Sequence, residues 1–149
     1  MILDERTEFA DATALDTSGT GLALLGDVID LGAARDIGNG TPVYLVIQVT
    51  TAVTSAGSAT VDFQLASDAA AAIATDGSAS VHATTGDIGK ASLVAGFTRV
   101  IPVPLEGSTP YERYVGILTN VGTAALTAGA VNAFFTSDPA AWKAYPDAI

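Results

Sequence analysis

PVYLVIQVTT, residues 42–51, alternates in a way that selects a β-sheet. In an extended chain Val43, Leu45, Ile47 and Val49 fall on one face, and Tyr44, Val46, Gln48 and Thr50 on the other. Full burial of the four aliphatics stabilises by roughly 1.5–3 kcal/mol each. Ordering each backbone residue costs about 1–2 kcal/mol. One such strand roughly breaks even, so the sheet it belongs to must be larger than a hairpin. TVDFQLAS, residues 60–67, repeats the alternation, with Val61, Phe63 and Leu65 inward and Asp62 and Gln64 outward. The polar, glycine-containing TAVTSAGSA between them predicts an antiparallel hairpin.

The rest of the chain extends this pattern. TRVIPVPL, residues 98–105, is a strand whose Pro102 and Pro104 cannot donate ladder hydrogen bonds, which places it at an edge or on a bulge. YVGILTN (114–120) and AVNAFFT (130–136) read as a second hairpin around VGTAALTAG. AAAAIA (69–74) reads as a turn of helix after Asp68, too short to stand alone, and residues 75–87 as a polar loop with a short strand. Near the end, SDPAAWKAYPDAI starts a short helical segment with Asp138 as N-cap and Pro139 at the first position, stopped by Pro146. Its Trp142 and Tyr145 share a face at i, i+3 spacing. With no long helices between the strands, the expected fold is all-β: one domain over residues 1–149, an antiparallel jelly roll or β-sandwich of about eight short strands. Residues 1–26 show little periodicity and read as an irregular arm, residues 137–149 as a tail.

In VIDLGAARDIGNGTPVYLVIQV, residues 28–49, Asp30 is expected to face outward from a first strand. Arg35 and Asp36 sit in a connection where a local ion pair is plausible, and Gly38-Asn39-Gly40 supplies backbone freedom before Pro42.

Composition restricts function. About half of the 149 residues are apolar, 15% are charged and 7% aromatic, and six basic against sixteen acidic side chains give a net charge of −10. Nucleic-acid affinity comes largely from Lys and Arg neutralising phosphates, so DNA and RNA are poor partners, and anionic membranes are disfavoured likewise. The absence of cysteine excludes disulfides, thiol nucleophiles and zinc-thiolate sites. MILDERTEF lacks a signal-peptide apolar region, and no apolar run approaches the roughly 20 residues of a membrane span.

Catalytic and metal signatures are weak. His82 is the single histidine, and no G-x-S-x-G elbow accompanies it, so an exposed loop histidine is expected rather than a Ser-His-Asp triad. Asp76-Gly77 and the TGD ending at Asp87 lack the D-x-D-x-D-G spacing of a calcium loop. Gly19, Gly21 and Gly26 miss the dinucleotide fingerprint, and Gly38-Asn39-Gly40 opens a strand where a phosphate loop opens a helix. Glu106 and Glu112 as a glycosidase pair have nothing beyond their presence to support them. In TPYERYVGI, residues 109–117, Tyr111, Glu112, Arg113 and Tyr114 suit either a sugar-binding patch or, more simply, tyrosines at the start of a strand beside an exposed ion pair. No enzymatic activity, cofactor or metal is expected.

An ordered series of segments then resembles a known family. MILDERTEFADATAL at the start, VIDLGAARDIGNGTPVYLVIQV, ATVDFQLASD, AGFTR at 95–99, Arg113-Tyr114 and LTAGAVNA follow the succession found in small capsid cement (decoration) proteins of tailed phages, of the Bordetella-phage type. The resemblance runs from residue 1 to about 136. The loop at 75–87 and the tail after 136 fall outside it, and residues 115–123 are plainer than the family pattern. It implies a non-enzymatic jelly roll made in the host cytoplasm and carried on the outer capsid surface of the virion. There it would bridge and stabilise major capsid protein subunits as a homo-oligomer, dimer or trimer. Leu3 and Phe9 in the arm, and Trp142 and Tyr145 as interface aromatics, are the expected capsid or subunit contacts. A carbohydrate-binding or adhesive β-sandwich of a virion, with Tyr111 and Tyr114 as sugar contacts, is the alternative, and a hydrolase using His82 a remoter one.

Overall fold

The computed structural model describes residues 4–37, 40–104 and 109–141. After a single 3-10 turn at Glu5–Thr7, nine strands follow: β1 (Glu8–Ala14), β2 (Gly21–Asp30), β3 (Tyr44–Thr54), β4 (Thr60–Asp68), β5 (Ser80–Thr84), β6 (Ile88–Gly89), β7 (Thr98–Pro102), β8 (Tyr114–Gly122) and β9 (Ala128–Thr136). They form two sheets, in the orders β1-β9-β3-β7 and β2-β8-β4-β5, with β6 also paired to β4. Every ladder is antiparallel.

The pairing order makes this a jelly roll. β1 pairs with β9, β2 with β8, β3 with β7 and β4 with β5. The first half of the chain thus runs against the second as one long ribbon. Wrapping that ribbon brings β9 beside β3 and β8 beside β4, which closes each half-ribbon into a sheet.

Both expected hairpins are therefore corrected. β3 and β4 lie in different sheets, as do β8 and β9. Their connections arch from one sheet to the other, and the two arches support each other. Ser55 Oγ donates to the Ala125 carbonyl at 2.7 Å, Thr54 and Thr127 hydroxyls meet at 2.7 Å, and Lys90 Nζ donates to the Ser55 carbonyl at 2.6 Å.

Between the sheets, Phe9, Leu45, Ile47, Val61, Phe63, Leu65, Ile117 and Val131 form one apolar core. A smaller cluster of Ala66, Ile73, Ala79 and Leu118 lies on the other face of the β2-β8-β4-β5 sheet, under the 69–79 connection. That connection consists of bends and not a helical turn. Asp68 holds it, accepting from the Ala70 and Ala74 amides at 3.1 and 3.0 Å. Gly116 leaves the room it needs, since a Cβ there would stand 2.6 Å from Ile73 Cδ1.

The irregular arm is also corrected. Residues 8–14 and 21–30 are strands, one in each sheet. Phe9 is fully buried and meets Phe135 edge-on at 4.9 Å between centroids. β1 and β2 approach closely at Gly26, where φ is +62° and a Cβ would lie 2.0 Å from the Phe9 carbonyl oxygen. β7 is an edge strand, in keeping with Pro102 at its end. A second 3-10 turn, Pro139–Ala141, follows β9 where the sequence predicts a helical start.

Candidate functional site

The family-marker segments, distant in sequence, converge in pairs. Asp30 ends β2 opposite Tyr114, the first residue of β8. There the Arg113 guanidinium grips its carboxylate with two hydrogen bonds of 2.8 Å, from Nε to Oδ1 and from Nη2 to Oδ2. The Gly32 amide adds a third at 2.7 Å, and the Leu31 amide donates to the Arg113 carbonyl. The Arg113 side chain also lies 4.9 Å from the centre of the Tyr114 ring. These bonds, the arginine's foremost, hold the Asp30 carboxyl down to about 2. Asp30 faces outward as expected. Its ion-pair partner is Arg113, from the far half of the chain. Likewise Asn132 Oδ1 accepts the Ala12 amide at 2.6 Å, fastening β1 to β9.

His82 is not an exposed loop residue. It lies half-buried on β5, its Nε2 2.7 Å from the hydroxyl of Ser67 and its ring stacked on Tyr111 at 3.8 Å. Burial lowers its pKa below the ordinary 6.5, and the nearby Glu112 carboxylate opposes that shift. The neutral ring therefore prevails near neutral pH. Ser67 also accepts the Glu112 amide at 3.0 Å, and Glu112 Oε1 accepts from Ser80 at 3.0 Å.

Serine, histidine and carboxylate thus meet, but not as a triad. The carboxylate bonds Ser80, and Ser67 is 0% exposed with its oxygen already engaged. A substrate carbonyl has no approach to it. The cluster is a clasp that ties β4, β5 and the 109–113 segment together. Tyr111 completes it, 2% exposed, donating to the Pro104 carbonyl at 2.8 Å, its phenol pushed up to about 12 by burial. A sugar has no face of Tyr111 on which to stack.

Asp62, expected outward, is 7% exposed. The Thr84 and Thr85 hydroxyls donate to its Oδ1, and Gln64 Nε2 to its Oδ2 at 2.8 Å. Asp76 accepts from both the amide and the hydroxyl of Ser78, a turn-capping arrangement. Among the described residues no group of three or more His, Asp or Glu is placed to hold a metal ion, and no helix is long and apolar enough to cross a membrane.

Of the expected contact residues, Phe9 lies in the core, while Leu3, Trp142 and Tyr145 fall outside the described residues. An open surface groove of about 640 Å³ is lined by Glu5, Arg6, Glu8, Asp27, Val28, Ile29 and Asp30. Partial burial and the neighbouring Asp11, Glu5 and Asp27 raise the Glu8 pKa. Sequence reasoning missed this groove because its two walls, the 3-10 turn with β1 and the end of β2, lay in or beside the supposed arm.

A comparison with curated proteins finds no match. The family model described as Bbp16 matches residues 9–135. That stretch runs from Phe9 to Phe135, whose rings meet between the neighbouring strands β1 and β9, and omits one terminal residue of the strand framework at each end. The chain belongs to the Bbp16 family, whose name points to a Bordetella phage protein.

Proposed function

We propose that the chain is a virion structural protein: a capsid cement protein that binds the outer surface of the assembled capsid and bridges major capsid protein subunits. The match to the Bbp16 family over residues 9–135 carries this reading. The jelly roll is a rigid outer shell with its titratable clusters used as internal ties, and the net charge of −10 suits a surface away from packaged nucleic acid. The protein acts by binding and not by turnover, as a homo-oligomer held by many copies of a modest contact. The carbohydrate-binding alternative loses its best residue, because Tyr111 is buried.

The test is co-sedimentation of the purified chain with capsids that lack it, followed by heating. Saturable binding to assembled capsids, with none to free capsid subunits, is the expected result. Equal binding to both, or none to capsids, overturns the proposal.

A further inference from the structure

Of the strands at the outer edges of the two sheets, β1, β2 and β5 each carry a break in register against their neighbour. Such irregularities blunt an edge against further pairing. β7 keeps an unbroken ladder with β3. Its hydrogen-bonded rows are fixed at either end, where the Val103 amide donates to the Val43 carbonyl and the Val49 amide to the Phe97 carbonyl, both at 2.9 Å. Bonded and non-bonded rows alternate in an antiparallel ladder. Arg99 and Ile101 therefore turn their backbone groups toward β3, and Thr98, Val100 and Pro102 turn theirs outward. Pro102 has no amide to offer, and the Pro104 carbonyl beyond it is taken by the Tyr111 hydroxyl at 2.8 Å. What stays open is a short window, the amides and carbonyls of Thr98 and Val100. Val100 is 39% exposed, and Val94, in the turn before β7, is 52% exposed. Arg99, between the two open residues, is exposed and forms no ion pair among the described residues, although the chain carries sixteen acidic side chains.

We propose that this window takes an added strand: an extended segment of the capsid subunit, bonded to Thr98 and Val100 and carrying an acidic side chain opposite Arg99. The inference deepens the proposed capsid role and rests on it. Main-chain bonds would supply the attachment, Val100 and Val94 an apolar contact, and Arg99 the choice of partner by charge. A second copy of the chain fits the window less well. Matching Thr98 to Val100 across two β7 edges sets Arg99 directly against Arg99, and like charges so placed are destabilising. Centring the pair on Val100 instead sets Thr98 against Pro102, which has no amide.

Hydrogen exchange across β7 tests this in the wild-type chain, free and bound to capsids that lack it. The Arg99 and Ile101 amides are held in the ladder, so fast exchange in the free chain belongs to Thr98 and Val100. On capsids it should slow by about tenfold or more. Val100→Pro removes an outward amide and leaves the ladder with β3 intact. With circular dichroism unchanged, it should weaken co-sedimentation by about tenfold or more, and Arg99→Glu should weaken it as well. The exchange measurement stands even if a variant fails to fold. Wild-type binding with Thr98 and Val100 still exchanging freely, or Val100→Pro binding like wild type, overturns this inference and leaves the capsid role standing. No binding of the wild-type chain to capsids overturns both. Slow exchange in the capsid-free chain that quickens on dilution assigns the window to a second copy, and overturns the inference too.

Discussion

Asp62 shows how a single residue can obey the strand pattern and still defeat the reading of it. In TVDFQLAS it occupies the polar position of the alternation, and it does lie on the face away from the main core. What buries it is Thr84 and Thr85, about twenty residues further on, whose hydroxyls reach the same carboxylate oxygen. Asp62→Ala removes the acceptor shared by three donors, and should cost about 1–3 kcal/mol in urea unfolding. A midpoint equal to wild type would show that water serves those donors as well. His82 makes a prediction about pH. Its folded pKa lies below its ordinary 6.5, so the unfolded chain binds the proton more readily. The stability contributed by the neutral ring is fully present above about pH 6.5 and is lost as pH falls through the folded pKa. Thermal melts of wild type and His82→Gln should converge as pH is lowered through this window. Parallel curves would remove His82 from the account. Asp30 does not interfere, because its depressed pKa of about 2 confines its effect to far more acid solution.

Among the elements, existence was legible and partnership was not. β3, β4, β8 and β9 fall where alternation and turn residues put them, and the prolines correctly sent β7 to an edge. Alternation looks the same whether the next strand turns back in its own sheet or crosses to the other, so two arches read as two hairpins. β1 was invisible for a different reason. Its pairing with β9 carries two irregularities of register, and Ala12 adopts a positive φ of 43°, so EFADATA never shows a clean period. β2 is interrupted at Gly26 in the same way, with a register shift between Leu25 and Ile29. Gly26 is where β1 and β2 nearly touch, which makes the supposed arm part of the foundation. Gly26→Ala should cost about 1–3 kcal/mol from its backbone conformation alone, with the clash against the Phe9 carbonyl added. Phe9→Ala should cost about 3–5 kcal/mol. Both are read as losses in unfolding midpoint. Deleting residues 1–11 removes Phe9 and the pairing of Glu8 and Ala10 with β9, and should abolish cooperative unfolding. A truncated chain that melts like wild type would restore the arm.

For the whole molecule, the proposed capsid role poses the question of how binding by itself could stabilise a lattice. A ligand that binds the assembled lattice and not its free subunits stabilises the lattice by RT ln(1 + [L]/Kd) for each site, about 2.7 kcal/mol when free ligand is a hundredfold above Kd. No contact need be tight, since the lattice offers many equivalent sites. A rigid sandwich suits this task. Little conformational entropy is lost on binding when the surface is already ordered, and here bidentate Asp30–Arg113 and the His82 clasp hold the ends of strands from distant parts of the chain. The charge of −10 adds a second expectation. An acidic protein is drawn to a basic patch over about 8 Å at physiological ionic strength, so added salt should weaken decoration chiefly by slowing association. These considerations combine in one measurement. Bare capsids titrated with the chain should show a disassembly temperature that rises with concentration and goes on rising logarithmically past stoichiometric occupancy, with the curve displaced to higher concentration as salt is added. A midpoint that stops rising once every site is filled would mean that the decorated lattice disassembles with the chain still attached. In that case the protein would coat the capsid without cementing it.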